Sequence, residues 1–135
     1  MATSKTKKPF GRRTTHLEGA LKRQFEQVCR MALKLPGVEI STSYGTPALK
    51  ARGKLMGRLR TEAEGALALR CDFVDREILL QADPEVFFLV AHYLNYPMIL
   101  VRLDKVRPDV MPDLLERAWK MATDKSIPAA DQPGS

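Results

Sequence analysis

The chain has 135 residues, enough for one domain with its own core, and its 44% apolar and 28% charged residues are those of a folded soluble protein. Its longest unbroken apolar run, residues 86–91, is far shorter than the ~20 residues of a membrane-crossing helix, and no apolar segment follows the basic N-terminus as a secretory signal requires; no membrane contact and a cytoplasmic setting are expected. The net charge of +6 is uneven: residues 1–13 hold Lys5, Lys7, Lys8, Arg12 and Arg13 and no acid, which leaves 17 basic against 16 acidic residues, or +1, for the remainder.

Residues 1–15 are polar and basic without periodicity and are expected to form a disordered basic tail. A single α+β domain is expected over 16–124. From Leu17 the apolar positions Leu21, Phe25, Val28, Cys29 and Ala32 recur every three or four residues, the stripe of an amphipathic helix, which Pro36-Gly37 stops. Val38 to Thr42 is β-branched and reads as a strand. Ala48–Arg52 and Leu55–Arg60 follow as the arms of a hairpin about Gly53-Lys54, with Leu55, Gly57 and Leu59 expected on one face and Met56, Arg58 and Arg60 on the other. Ala66–Asp72 predicts a further strand with Arg70 pointing outward. These connections are too short for parallel crossovers, so the strands form an antiparallel meander.

Val74 to Ala82 returns to helical spacing, with Val74, Ile78 and Leu79 on its apolar side. Residues 86–90 fit a strand or a buried helical turn equally well. Met98–Leu103 predicts a central strand, and Asp109–Thr123 a last helix with Val110, Leu114, Leu115, Ala118, Trp119 and Ala122 along one stripe. Residues 125–135, rich in Pro, Gly, Ser and Ala, predict a flexible tail. The order fits an antiparallel sheet of about five strands with helices on one face, the other face meeting solvent or a partner.

Cys29 and Cys71 lie far apart, without the paired spacing of a zinc site or a disulfide framework, so two buried thiols and no metal or cofactor are expected. The chemistry-bearing stretch is 50–60, where Lys50, Arg52, Lys54, Arg58 and Arg60 occur without an acid. Together with Arg70 they make a candidate phosphate-backbone surface, against the plainer reading of a solvated sheet face on which such charges deter edge aggregation. Aromatics do not interleave these charges, so base stacking is not expected. His92, Tyr93, Tyr96 and Trp119 form a second candidate, a small pocket between the last helix and the sheet, against packing with satisfied polar tips. Glu62 and Glu64 read as a charged turn, and Gly53-Lys54 lacks the spacing of a phosphate loop.

The run Ser43-Tyr44-Gly45-Thr46-Pro47-Ala48-Leu49-Lys50, with Gly53-Lys54-Leu55-Met56-Gly57 after it, resembles the signature of the MmcQ/YjbR family. Phe87, His92-Tyr93, Tyr96-Pro97 and Leu100–Leu103 are similar to the family's next block, and Asp113–Trp119 to its closing helix. The resemblance covers roughly residues 17–122. It implies a two-layer α+β fold and a domain of a kind commonly described as DNA-binding, and it brings no catalytic motif. Many members carry an aromatic, often Trp, just before the strand that starts here at Met98; this chain has Tyr96-Pro97-Met98. The expected function is therefore a non-enzymatic domain that contacts nucleic acid without sequence preference, through the hairpin and the N-terminal tail. The alternative is a protein-interaction or chaperone-like module, a homodimer among its forms, that uses the open sheet face or its edge.

Overall fold

The computed structural model describes residues 12–43, 46–60 and 65–124. Helix α1 (Arg12–Ala32) starts within the stretch expected to be tail and buries Leu21, Phe25, Val28, Cys29 and Ala32 along its predicted stripe. Strands β1 (Val38–Ser43), β2 (Thr46–Ala51), β3 (Lys54–Leu59) and β4 (Ala66–Arg70) follow as the expected meander. After helix α2 (Phe73–Ala82) come β5 (Phe87–Phe88), β6 (Met98–Arg102) and helix α3 (Met111–Thr123). The sheet has six antiparallel strands in the order β1-β2-β3-β4-β6-β5. The additional strand, β5, is two residues long, too short for alternation to announce it.

Helices α1 and α3 pack on one face, over Leu49, Ala51, Met56, Leu67, Leu69, Ile99 and Val101. Two backbone features fix the hairpin beneath them. Arg52 and Gly53 both have positive φ, 54° and 83°, the two-residue turn whose twist matches that of the flanking strands. At Gly57 a Cβ would meet Leu69 Cδ2 at 2.7 Å and the Ala68 carbonyl oxygen at 2.8 Å, so β3 and β4 approach too closely there for any side chain. No helix of the described residues is long and apolar enough to cross a membrane.

Helix α2 departs in part from its expected orientation: Leu79 packs against the helix-side core as predicted, but the other two apolar positions do not. Val74 and Ile78, predicted to face the core, are 71% and 59% exposed, while Arg76 is buried. The cause is hydrogen bonding. Arg76 Nη1 donates to the carbonyls of Tyr93 (3.2 Å), Tyr96 (2.8 Å) and Met98 (3.2 Å), and Nη2 donates to that of Leu94 (3.1 Å). The guanidinium also lies 4.6 Å from the centre of the Phe73 ring. A buried cation needs this many acceptors, and carbonyls outside regular structure need donors; together they outweigh the exposure of two aliphatic side chains. The helix starts on Asp72, whose side chain accepts the Asp75 N–H at 2.7 Å.

The arginine anchors residues 93–98, and the segment they belong to supplies a second small core. Tyr93, with Phe88, Val90 and Tyr96, packs against Ala48, Leu55, Ala66, Ala68, Met98 and Leu100 on the sheet face away from α1 and α3. The second face is thus not wholly open, as the sequence suggested; an irregular segment takes the place of a layer there.

Candidate functional site

A bulge decides which side chains share the second face. Ala48 pairs with Arg58 and Leu49 with Gly57, but Lys50 pairs with Leu55, so Met56 is an extra residue on β3. Met56 joins the helix-side core, while Leu55 and Arg58 both lie on the second face. The expected alternation, with Leu55, Gly57 and Leu59 opposite Met56, Arg58 and Arg60, holds only from Gly57 onward. The inserted residue breaks the period of two, and a period of two is all that sequence patterning reads.

Lys50 and Arg58 therefore come together on one face from adjacent strands, both half-exposed. Ala48 and Ala68, fully buried, lie directly across from Arg58 on either side. Small residues beside a long one let its aliphatic stem lie along the sheet while the charged end reaches water. Arg60 continues the line: its N–H donates to the Ala66 carbonyl at 2.9 Å, and its guanidinium lies 5.3 Å from the centre of the Tyr93 ring, with Nη1 donating to the Tyr93 hydroxyl at 3.5 Å. Arg52, exposed, is the first residue of the hairpin turn, and Lys54, half-exposed, follows it at the start of β3. Among the described residues Lys50 and Arg52 form no ion pair, although Glu39 stands opposite Lys50 across β1 and β2.

Arg70 does not belong with them. It is 1% exposed, and its Nε donates to the Leu55 carbonyl at 2.6 Å, so it ties β4 to β3 inside the fold. It sits on the expected face, but side chains above it close it off from solvent. One cation that went unremarked does belong to this face. Arg102 alternates with Met98 and Leu100 along β6, its guanidinium lies 4.0 Å from the centre of the Phe88 ring, and its Nε donates to the Glu85 carbonyl at 3.1 Å. Strand parity alone could have found it.

The four residues of the expected pocket separate. Trp119 packs against the helix-side core and its Nε1 donates to the Pro36 carbonyl at 2.7 Å. Tyr93 is buried on the opposite face of the sheet. His92, exposed, meets the Tyr93 ring edge-on at 4.6 Å and lies 6.4 Å from Tyr96. The sheet stands between Trp119 and the other three, because α3 and the 91–96 segment cover different faces. A cleft of about 200 Å³ lies elsewhere, between α2 and α3, where Arg117 bridges Asp75 at 2.6 Å and Asp113 at 2.8 Å. Both carboxylates raise the Arg117 pKa, holding it charged.

Burial raises the pKa of the Cys29 thiol and pushes that of Cys71 up to about 12, with Asp75 and Asp72 adding to the latter, so neither is a ready thiolate. No cluster of three His, Cys, Asp or Glu residues suited to a metal occurs among the described residues.

The YjbR family model matches residues 33–121. The crystal structure of Deinococcus radiodurans protein DR2400, described by the family-model domain DUF419, is similar in fold: 20% identity, a TM-score of 0.62, 76% of this chain and 80% of that one covered. No curated protein matches the chain.

Proposed function

The chain belongs to the YjbR family, and from that premise we propose that it is a non-enzymatic domain that binds the phosphate backbone of nucleic acid without sequence preference. One observation carries the reading: Lys50 and Arg58 share a sheet face, with Arg60 beyond them and Arg52 and Lys54 at the adjoining turn. Cations at this density displace the counterions that surround a nucleic acid, a sequence-independent source of affinity. Tyr93 is buried, and hydrogen bonds and ring contacts hold Arg60 and Arg102 against their own fold, so base-edge readers are not presented. In this reading the domain works in the cytoplasm, in keeping with two free, buried thiols.

The test is affinity for a short DNA duplex measured across salt concentrations, for the unaltered chain and for Lys50→Ala, Arg52→Ala and Lys54→Ala. Each lost phosphate contact should flatten the plot of log affinity against log salt by about 0.9. Arg117→Ala, which removes a cation already paired with two acids, should leave the slope alone. Absence of binding at low salt, or a slope the three hairpin variants do not change, sinks the reading.

A further inference from the structure

The two edges of the sheet are built differently. At one edge β5 is two residues long, and the Arg102 side chain is bonded to the neighbouring Glu85 carbonyl. Short strands and charged side chains are the ordinary means of keeping an edge from pairing with another chain. At the other edge β1 runs for six residues with no proline, lysine or bulge, and Glu39, Ile40 and Thr42 are exposed.

Register tells which β1 groups point outward. The Arg52 N–H donates to the Gly37 carbonyl at 3.1 Å, so the alternating ladder turns the backbone groups of Glu39 and Ser41 toward β2. Pro47, which has no N–H, falls opposite Thr42, where none is needed toward β1. The N–H and C=O of Ile40 and Thr42 therefore face away from the sheet. Ile40 is 50% exposed, and Leu33, a few residues earlier in the chain, is 48% exposed.

We infer that β1 pairs antiparallel with β1 of a second copy of this chain, about a two-fold axis at Ile40. The strand complements itself in that register. Ile40 exchanges both backbone hydrogen bonds with Ile40 of the second copy and packs against its side chain. Val38 faces Thr42, and Glu39 faces Ser41. An axis at Glu39 would set two carboxylates against each other, and an axis between residues would set outward groups against inward ones. The chosen register brings no like charges together. The axis stands perpendicular to the sheet, so the second faces of both copies lie on the same side of one joined sheet, with Glu39 and Ser41 of each copy between the two Lys50–Arg58 surfaces. The pairing itself does not depend on the nucleic-acid reading.

Sedimentation equilibrium of the full chain without nucleic acid tests it. The contact is small, so a micromolar rather than nanomolar dimer is expected. Ile40→Lys, which opposes two ammonium groups across the axis, should weaken it by at least about a hundredfold. Thr42→Pro, which removes an outward N–H at an edge position where proline is tolerated, should weaken it as well. At concentrations where the unaltered chain is monomeric, both variants should keep its circular dichroism and melting temperature, since both positions are exposed. With oxidised glutathione, Ile40→Cys should cross-link faster than Glu39→Cys, because directly opposed residues lie within disulfide reach and Glu39 faces Ser41 instead. A chain that stays monomeric up to about 1 mM, a dimer that survives both edge variants, or Glu39→Cys linking as readily as Ile40→Cys each overturns the proposal.

Discussion

Two groups of cations in this domain use the same chemistry for opposite ends. Arg76 and Arg70 are turned inward, where backbone carbonyls receive their N–H groups and the folded chain is their ligand. Lys50, Arg52, Lys54 and Arg58 lie within reach of solvent, on β2, β3 and the turn between them. The contrast teaches that the count of basic residues in a stretch says little about binding until each is placed. A guanidinium with several carbonyl acceptors is structure, and one at the solvent boundary over alanines is surface.

The largest expected effect breaks the inner group. Arg76→Met keeps an unbranched apolar stem but removes the donors to four carbonyls, and should destabilise the fold by about 3 kcal/mol, read by urea denaturation. Arg76→Lys should recover part of that, because an ammonium reaches fewer of the four acceptors. Nucleic-acid affinity of the folded fraction should be little changed in either variant. If affinity falls with stability in parallel, the division between the two groups is wrong.

A pH titration probes the interior half alone. The Cys71 N–H donates to the Pro97 carbonyl at 2.9 Å, beside the region Arg76 holds. Burial lifts the pKa of its thiol from 9.0 to about 12 in the folded state. An acid whose folded pKa is raised contributes stability that is fully present below the unfolded value and is lost as pH rises through the folded one. Stability should therefore decline between about pH 9 and pH 12, and Cys71→Ala should remove this component of the decline. Equal alkaline slopes in the two proteins would show that the thiol does not ionise differently on unfolding.

The smallest effect sharpens the outer group. Arg52 holds a positive φ of 54°, a conformation that asparagine adopts more readily. Arg52→Asn should stabilise the domain by about 0.5 kcal/mol while lowering its affinity for DNA. Opposite signs in one variant would separate binding from folding at a single position.

Much of this architecture was legible in the sequence. Apolar spacing marked α1 and α3 and the extent of α2, because those are local patterns with a fixed period; Gly53 marked the β2–β3 turn, whose two central residues are Arg52 and Gly53 rather than the expected Gly53 and Lys54. Three things were not legible, and each has a physical cause. The Met56 bulge adds a residue without altering composition, so a strict alternation mistook the partners of Leu55. Arg76 looked like the polar side of its helix, since its acceptors lie 17 to 22 residues further along the chain. Tyr93 and Trp119 could be grouped by chemistry but not by side of the sheet, which depends on the return path of residues 89–97. Lys50 and Arg58 were expected on one sheet face and share it, though their closeness comes from the pairing of β2 with β3, whereas Arg70 had the right face and the wrong exposure.

The Arg76 anchor has a thermodynamic corollary. The irregular covering of the second face is held by the polar contacts of Arg76 together with the small apolar core around Tyr93, so detaching it exposes the side chains of that core and carries a positive heat-capacity change smaller than that of unfolding the whole domain. Amides such as those of Tyr93 and Tyr96 should then exchange with deuterium through a local opening, at a free energy below that of the strands they cover. Such an opening would uncover Ala66 and Ala68 of β4 and Met98 and Leu100 of β6 while α1, α3 and the main core stay folded.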